Sequence, residues 1–288
     1  MVNTAEKAPE QSGENQPAQQ QTKQDIKGQL IIIGGAEDKQ GDCKILREFV
    51  RNSGGVDAKI VIMTVATELP REVGDDYIRI FERLGVDDVR VADTVVRDDA
   101  DSPNILEAID RATGVFFTGG DQARIIEILK DTKIHKKLQQ RYEEGLVVAG
   151  TSAGASMMSD RMILEGDSET HPRIEIVDLD AGMDFLSEVI IDQHFAQRGR
   201  LGRLLAAVAR HPELIGIGID ENTAIVVKNH QLQVIGEGSC TVVDLQPASH
   251  NNIKQLLKDE GLALCDVGLH ILPDGYGFDL STRKAIVS

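Results

Sequence analysis

Five short apolar runs, each followed by an amphipathic stretch, recur through the first half of the chain, and this alternation restricts the fold more than any other property. Strands are predicted at 29–33, 59–65, 88–92, 114–118 and 146–149, and helices at 42–53, 71–84, 103–112, 121–143 and 152–160. Units of this size, repeated as strand, helix and strand, demand a parallel sheet with helices on both faces. The runs Ile31-Ile32-Ile33, Val61-Ile62-Met63 and Val115-Phe116-Phe117 are apolar without interruption, as strands covered on both faces should be. Ser102-Pro103 marks a helix start, with a capping hydroxyl followed by proline at the first helical position.

Beyond residue 160 the pattern turns β-like, with segments near 172–179, 188–194, 214–219, 223–228 and 231–236 and one helix at 200–210. Asn229-His230 reads as a tight hairpin, and so does Pro273-Asp274-Gly275 between 270–272 and 278–280. This half is expected to extend the same sheet and add an antiparallel margin. The fold class is therefore α/β, a mostly parallel, doubly wound sheet in one domain spanning 28–288. Residues 1–27, rich in Gln, Glu, Asn, Pro, Ala and Lys, bury too little to fold and are expected to form a disordered tail.

The tail's three lysines and four acids nearly cancel, so almost all of the net charge of −16 lies on the body. Nucleic acid and anionic membranes need neutralising Lys and Arg, so neither suits this surface as a partner. A cationic or zwitterionic substrate does. No segment approaches the roughly 18 consecutive apolar residues of a membrane span, and the tail lacks the apolar core of a signal peptide, so a cytoplasmic protein is expected. Cys43, Cys240 and Cys265 are odd in number and widely spaced, which fits reduced thiols. No metal-ligand spacing is present, so neither metal nor cofactor is expected.

Chemistry gathers at the strand ends, where open parallel sheets hold their ligands. The apolar run Leu146-Val147-Val148-Ala149 stops abruptly in Gly150-Thr151-Ser152-Ala153-Gly154 and continues into small, helix-compatible residues. This is the sequence of a nucleophile elbow, a sharp strand-to-helix turn that projects a hydroxyl into a cleft beside free backbone donors. Glycines two positions either side are needed because a Cβ there would collide with the opposing backbone. An oxyanion would then meet the N–H of Ala153 and one from the neighbouring Gly119-Gly120 loop, with Gly120 preferred. For Gly34-Gly35 a plain turn and a functional role remain equally open.

A serine needs a base. Of the seven histidines, His194 follows the apolar run Val189-Ile190-Ile191 at a strand end within a polar cluster. His135, His171, His211, His230, His250 and His270 read as surface or loop residues. The base needs an orienting acceptor: Glu221 is best placed, with Asp220 and Asp192 in reserve. The order Ser152, His194, Glu221 differs from that of α/β-hydrolases, which run serine, acid, histidine.

Gly150-Thr151-Ser152-Ala153-Gly154-Ala155-Ser156, Thr118-Gly119-Gly120-Asp121-Gln122, Asp192-Gln193-His194-Phe195 with Arg198, Arg200 and Arg203 behind it, and Gly218-Ile219-Asp220-Glu221-Asn222-Thr223 together resemble the cyanophycinases. The resemblance spans about 28–288. It implies a class I glutamine amidotransferase-like (flavodoxin-like) fold and a serine-type exopeptidase that hydrolyses cyanophycin, poly-aspartate carrying arginine on its side-chain carboxyls, to β-Asp-Arg dipeptides, with a homodimer as the assembly. Arg198, Arg200 and Arg203 would then hold substrate carboxylates. Glu37, Asp38, Asp121 or Asp192 would accept the substrate guanidinium, and Gln122 and Gln193 would add neutral hydrogen bonds. The rivals are an aspartyl dipeptidase acting on small α-aspartyl peptides and a non-catalytic binding module of the same fold. A serine esterase fits poorly, because the expected pocket is charged.

Overall fold

The computed structural model describes residues 26–168, 171–257 and 260–287. Most of the expected tail, residues 1–25, lies outside the described residues. Strands β1 (Gln29–Ile33), β2 (Lys59–Met63), β3 (Asp88–Ala92), β4 (Gly114–Phe117) and β5 (Val147–Thr151) alternate with helices α1 (Lys44–Asn52), α2 (Pro70–Arg83), α3 (Pro103–Arg111), α4 (Gln122–Leu129) and α5 (Lys133–Glu144). Then come helix α6 (Ala153–Ser156), strands β6 (Arg161–Gly166), β7 (Val177–Ala181) and β8 (Val189–Gln193), and helix α7 (Leu201–Arg210). The remainder is β9 (Ile215–Ile219), β10 (Thr223–Lys228), β11 (Gln231–Gly236), β12 (Ser239–Asp244), β13 (His250–Asn251), β14 (Leu264–Cys265), β15 (Gly268–Pro273), β16 (Gly277–Asp279) and β17 (Lys284–Ile286).

The main sheet runs β17-β16-β11-β10-β1-β5-β4-β2-β3. Strands β1, β5, β4, β2 and β3 are parallel, and β10, β11, β16 and β17 form the expected antiparallel margin. Burial on both faces explains the unbroken apolar runs. Leu30 and Ile32 pack with side chains of α3, α4 and α5, whereas Ile31 and Ile33 pack with Leu46 and Phe49 of α1 and Tyr77 and Phe81 of α2. Phe116 is fully buried among Phe49, Tyr77 and Phe81, with ring centroids 4.7–5.6 Å away. Phe116→Ala should therefore lower unfolding stability by about 3–5 kcal/mol, read as a fall in the denaturant midpoint at constant m-value.

The structure corrects several expectations. The segments at 188–194 and 214–219 do not join the main sheet. They are β8 and β9, parallel partners in a second, four-stranded sheet ordered β15-β12-β9-β8, whose member β12 the sequence reading missed. Ile191, Ile217, Ile219 and Val242 of this sheet share one hydrophobic cluster with Leu30, Phe117 and Val148 of the first, while Ile190 faces α7. The turn at Pro273-Asp274-Gly275 is present but closes no hairpin: β15 pairs with β12 and β16 with β11, so the turn carries the chain from one sheet to the other. Asn229-His230 is a hairpin, both residues at positive φ.

The single helix expected over 121–143 is two. Asp131 takes φ +65°, and Thr132 restarts the helix by accepting from the His135 N–H. The helix after Ser152 has four residues, because the carbonyls of Met157 and Met158 accept from Met183, Phe185 and Leu186. His135, expected on the surface, is buried: its Nε2 lies 2.9 Å from the Met183 carbonyl and its Nδ1 accepts from the Asp131 N–H. Among the described residues no helix is long and apolar enough to cross a membrane.

Candidate active site

Ser152 stands at the end of β5 with φ +55° and ψ −112°, a conformation that L-residues seldom adopt, that costs on the order of 1–3 kcal/mol and that persists only where its surroundings impose it. They do impose it. The Ser152 N–H donates to the Ile33 carbonyl at 3.0 Å, and its own carbonyl accepts from Ala155 at 2.9 Å, opening α6. A Cβ on Gly150 would overlap the Gly154 carbonyl, and one on Gly154 would lie 2.6 Å from the Phe117 carbonyl oxygen. Both glycines are therefore dictated by the tightness of this turn. Among the described residues neither the Gly120 nor the Ala153 N–H has an acceptor.

His194 follows β8 in the second sheet and reaches across. Its Nε2 is 3.1 Å from Ser152 Oγ, and its Nδ1 is 2.6 Å from Glu221 Oε1. Three groups from three loops thus form one hydrogen-bonded chain. Asp220 is excluded from the acceptor position because its oxygens receive the Ala196 N–H and both the N–H and hydroxyl of Ser239. Asp192 is excluded because it is buried in a bidentate pair with Arg203, at 2.7 and 2.5 Å. Burial holds the His194 imidazole below its ordinary pKa, the Glu221 hydrogen bond opposes this, and the nearby Arg198 charge adds to the lowering. The ring is thus kept neutral and able to accept a proton near pH 7.

Gly34-Gly35 joins the two sheets at this point. The Gly34 carbonyl accepts from the His194 N–H at 2.7 Å, and the Gly35 carbonyl from Asn222, next to Glu221, at 2.9 Å. Gly35, at φ +101°, lies flat against the imidazole, and a Cβ there would enter the ring. This loop, whose role the sequence left undecided, packs directly against His194 and beside Glu221.

Ser152 and Gly120 open onto a cleft of about 570 Å³. Gln193, Arg198, Arg200 and Arg203 line it. Glu165, Asp167, Glu175 and Asp178, brought by the β6–β7 hairpin, line it as well. Arg198 is exposed at the opening. Arg200 and Arg203 are buried and carry structural bonds as well, Arg203 to Asp192 and the Gly166 carbonyl and Arg200 to the Gln193 carbonyl at 2.5 Å. Burial pulls Arg200 down to about 10, still cationic at neutral pH. Its Nε and the Gln193 Oε1 are buried without a partner among the described residues.

The acids named from sequence for a guanidinium are occupied elsewhere. Asp38 receives the N–H groups of Cys43, Gly41 and Gln40, which hold it at about 2. Asp121 caps α4 through the Ala123 N–H. Glu37 is buried against Tyr77 and Thr151, and Asp192 belongs to the arginines. Gln122 lines the cleft, but its amide donates to the Leu164 carbonyl at 2.5 Å and so anchors β6. The hairpin acids were missed because a pair of short strands bearing acids is indistinguishable, in sequence, from an ordinary solvated margin.

The profile of peptidase family S51 matches residues 30–235. A cyanophycinase of Trichormus variabilis is 41% identical over 92% of this chain and 90% of its own length, one of Geminocystis herdmanii is 40% identical over 91% and 97%, and one of Synechococcus elongatus is 38% identical over 90% and 81%. Among solved structures, a peptidase from an acI-B1 Actinobacterium superposes with a TM-score of 0.64 at 19% identity, covering 92% of this chain and 98% of that one. A putative peptidase E protein from Listeria monocytogenes gives 0.53 at 15% identity, covering 73% and 99%. These neighbours carry the class I glutamine amidotransferase-like fold expected from the sequence. The profile match and the 38–41% identities identify the chain as a member of peptidase family S51.

Proposed function

We propose that this protein is a serine-type exopeptidase that hydrolyses cyanophycin to β-Asp-Arg dipeptides. The observation that carries the reading is the hydrogen-bonded sequence Ser152, His194, Glu221 opening onto a cleft lined by both carboxylates and guanidinium groups. The relatives' printed name, at 38–41% identity over at least 90% of this chain, supports the substrate. A zwitterionic β-Asp-Arg unit matches such a cleft: Arg198 pairs with an α-carboxylate, and Glu165, Asp167 and Asp178 face the substrate guanidinium. Gln193 lines the same cleft and is available for a further polar contact.

In this reading His194 Nε2 takes the Ser152 proton as Oγ attacks the scissile carbonyl carbon, and the N–H groups of Gly120 and Ala153 receive the oxyanion. The tetrahedral adduct collapses, the leaving amine departs with the proton from His194, and an acyl-serine remains. Water, deprotonated by the same imidazole, attacks that ester and returns the proton to Ser152. Glu221 accepts from Nδ1–H throughout and stabilises the imidazolium between transfers.

The deciding experiment is incubation of the purified protein with insoluble cyanophycin and mass analysis of the supernatant, beside Ser152→Ala. Release of β-Asp-Arg by the wild type alone supports the proposal. Cleavage of α-aspartyl dipeptides without attack on cyanophycin assigns it instead as an aspartyl dipeptidase. The lowered His194 pKa predicts that kcat/KM rises with pH with a midpoint below about 6.5. Arg198→Ala removes a charge that lowers this pKa, so the midpoint should move upward in the pH–rate profile. Gly35→Ala should cost about 100-fold in kcat/KM by displacing the imidazole, with the far-UV spectrum unchanged. A cytoplasmic homodimer completes the reading, supported by the family resemblance and tested for assembly by sedimentation equilibrium.

A further inference from the structure

We infer that Glu37 is a positioning residue for the nucleophile, acting through Thr151; the inference rests on the reading of Ser152 as that nucleophile. Glu37 sits in the loop after β1 with its side chain only 1% exposed. It does not line the cleft, and it touches none of Ser152, His194 and Glu221 through the bonds it makes. One carboxylate oxygen accepts from the Tyr77 hydroxyl, and the other accepts from Thr151 Oγ1 at 2.5 Å. Lys39 Nζ lies 3.5 Å away and covers the Tyr77 ring at 4.5 Å.

A buried carboxylate held in this way adds little stability over a well-packed apolar side chain. What it adds is direction. Two hydroxyl donors and a nearby ammonium fix the carboxylate, and the carboxylate in turn fixes the rotamer of Thr151, the residue that leads into the strained Ser152 turn. Thr151 is also in register with Ile33, whose carbonyl receives the Ser152 N–H. The same loop supports the other two members of the site: Gly35 lies under the His194 ring, and the Asp38 N–H donates to Asn222 Oδ1 at 2.9 Å beside Glu221. Glu37 is thus the part of this loop that holds the residue preceding the nucleophile, and the loop as a whole sets the serine, imidazole and carboxylate against one another.

The test compares Glu37→Gln, Thr151→Val, Thr151→Ser and Tyr77→Phe with the wild type. Each is measured for kcat and KM on cyanophycin, for the rate of Ser152 labelling by a fluorophosphonate, and for thermal midpoint. Glu37→Gln and Thr151→Val are expected to lower kcat and the labelling rate by about tenfold or more, with KM within about twofold. Thr151→Ser keeps the donor and should retain most of the rate. The double variant Glu37→Gln/Thr151→Val should be no slower than the worse single one, because both remove the same bond. A folded Glu37→Gln or Thr151→Val protein with wild-type kcat and labelling rate overturns the inference, as do losses that multiply. Should Glu37→Gln fail to fold, Thr151→Val against Thr151→Ser decides, with Tyr77→Phe reporting the other arm. A wild type that leaves cyanophycin intact, or an active Ser152→Ala, removes the underlying reading instead.

Discussion

Ser152→Ala and His194→Ala should each lower kcat/KM on cyanophycin by about 10⁵–10⁶-fold, and the double variant should be scarcely worse than either. The reason lies in the 3.1 Å contact between Nε2 and Oγ: the serine is a weak nucleophile without the base, and the base has nothing to deprotonate without the serine. Residues that act as one unit do not contribute separable increments. A residual rate of about 10³–10⁴ over water is expected from the oxyanion donors and the cleft alone. Dipeptide release followed by mass spectrometry measures this directly, and fluorophosphonate labelling checks it independently of substrate. If the two losses multiply, the proton does not pass between these two groups.

Glu221→Gln should cost about 10⁴-fold in kcat with little change in KM, by analogy with the loss of the orienting carboxylate from other serine triads. The carboxylate accepts from Nδ1–H at 2.6 Å and so leaves Nε2 unprotonated toward Ser152. An amide can present its N–H₂ to Nδ1 instead. That stabilises the opposite tautomer, with the proton on Nε2, where it faces the hydroxyl it should receive from. Removing the negative charge also removes an influence that raises the His194 pKa, so the surviving activity should show its pH midpoint lower still than the wild type. Steady-state kinetics across pH 5–8 would separate this from a loss of folding, which would reduce the active fraction without moving the midpoint. A midpoint that rose in the variant would contradict the assignment of Glu221.

Much of this arrangement was legible in the residues because two signals were local. Uninterrupted apolar runs report burial on both faces, and β1 and β3 begin and end where the pattern placed them. Glycine spacing around Ser152 reports a turn that only one backbone geometry satisfies. The choice of His194 over six other histidines followed from its place at a strand end, and the structure brings its ring to the serine. What stayed hidden depended on partners distant in sequence. Nothing in Ile215-Gly216-Ile217-Gly218-Ile219 says whether it pairs with β10 or with β8, so a second sheet was read as an extension of the first. His135 looks solvated among lysines because its neighbours in sequence are, although its own face meets Met183. Arg200 and Arg203 read as substrate ligands, and the sequence gives no hint that Asp192 would occupy them. The acids of β6 and β7 become meaningful only when the hairpin folds beside the serine.

Ser152 is carried by the larger sheet, His194 by the smaller one, and Glu221 by the segment that passes between them from β9 to β10. Catalytic competence therefore depends on how the two layers are seated on each other, a misplacement of about 1 Å being enough to cost on the order of 100-fold. A variant softened in the shared core is expected to shift the layers while each keeps its strands. Such a preparation would keep its circular dichroism and still be silent toward substrate.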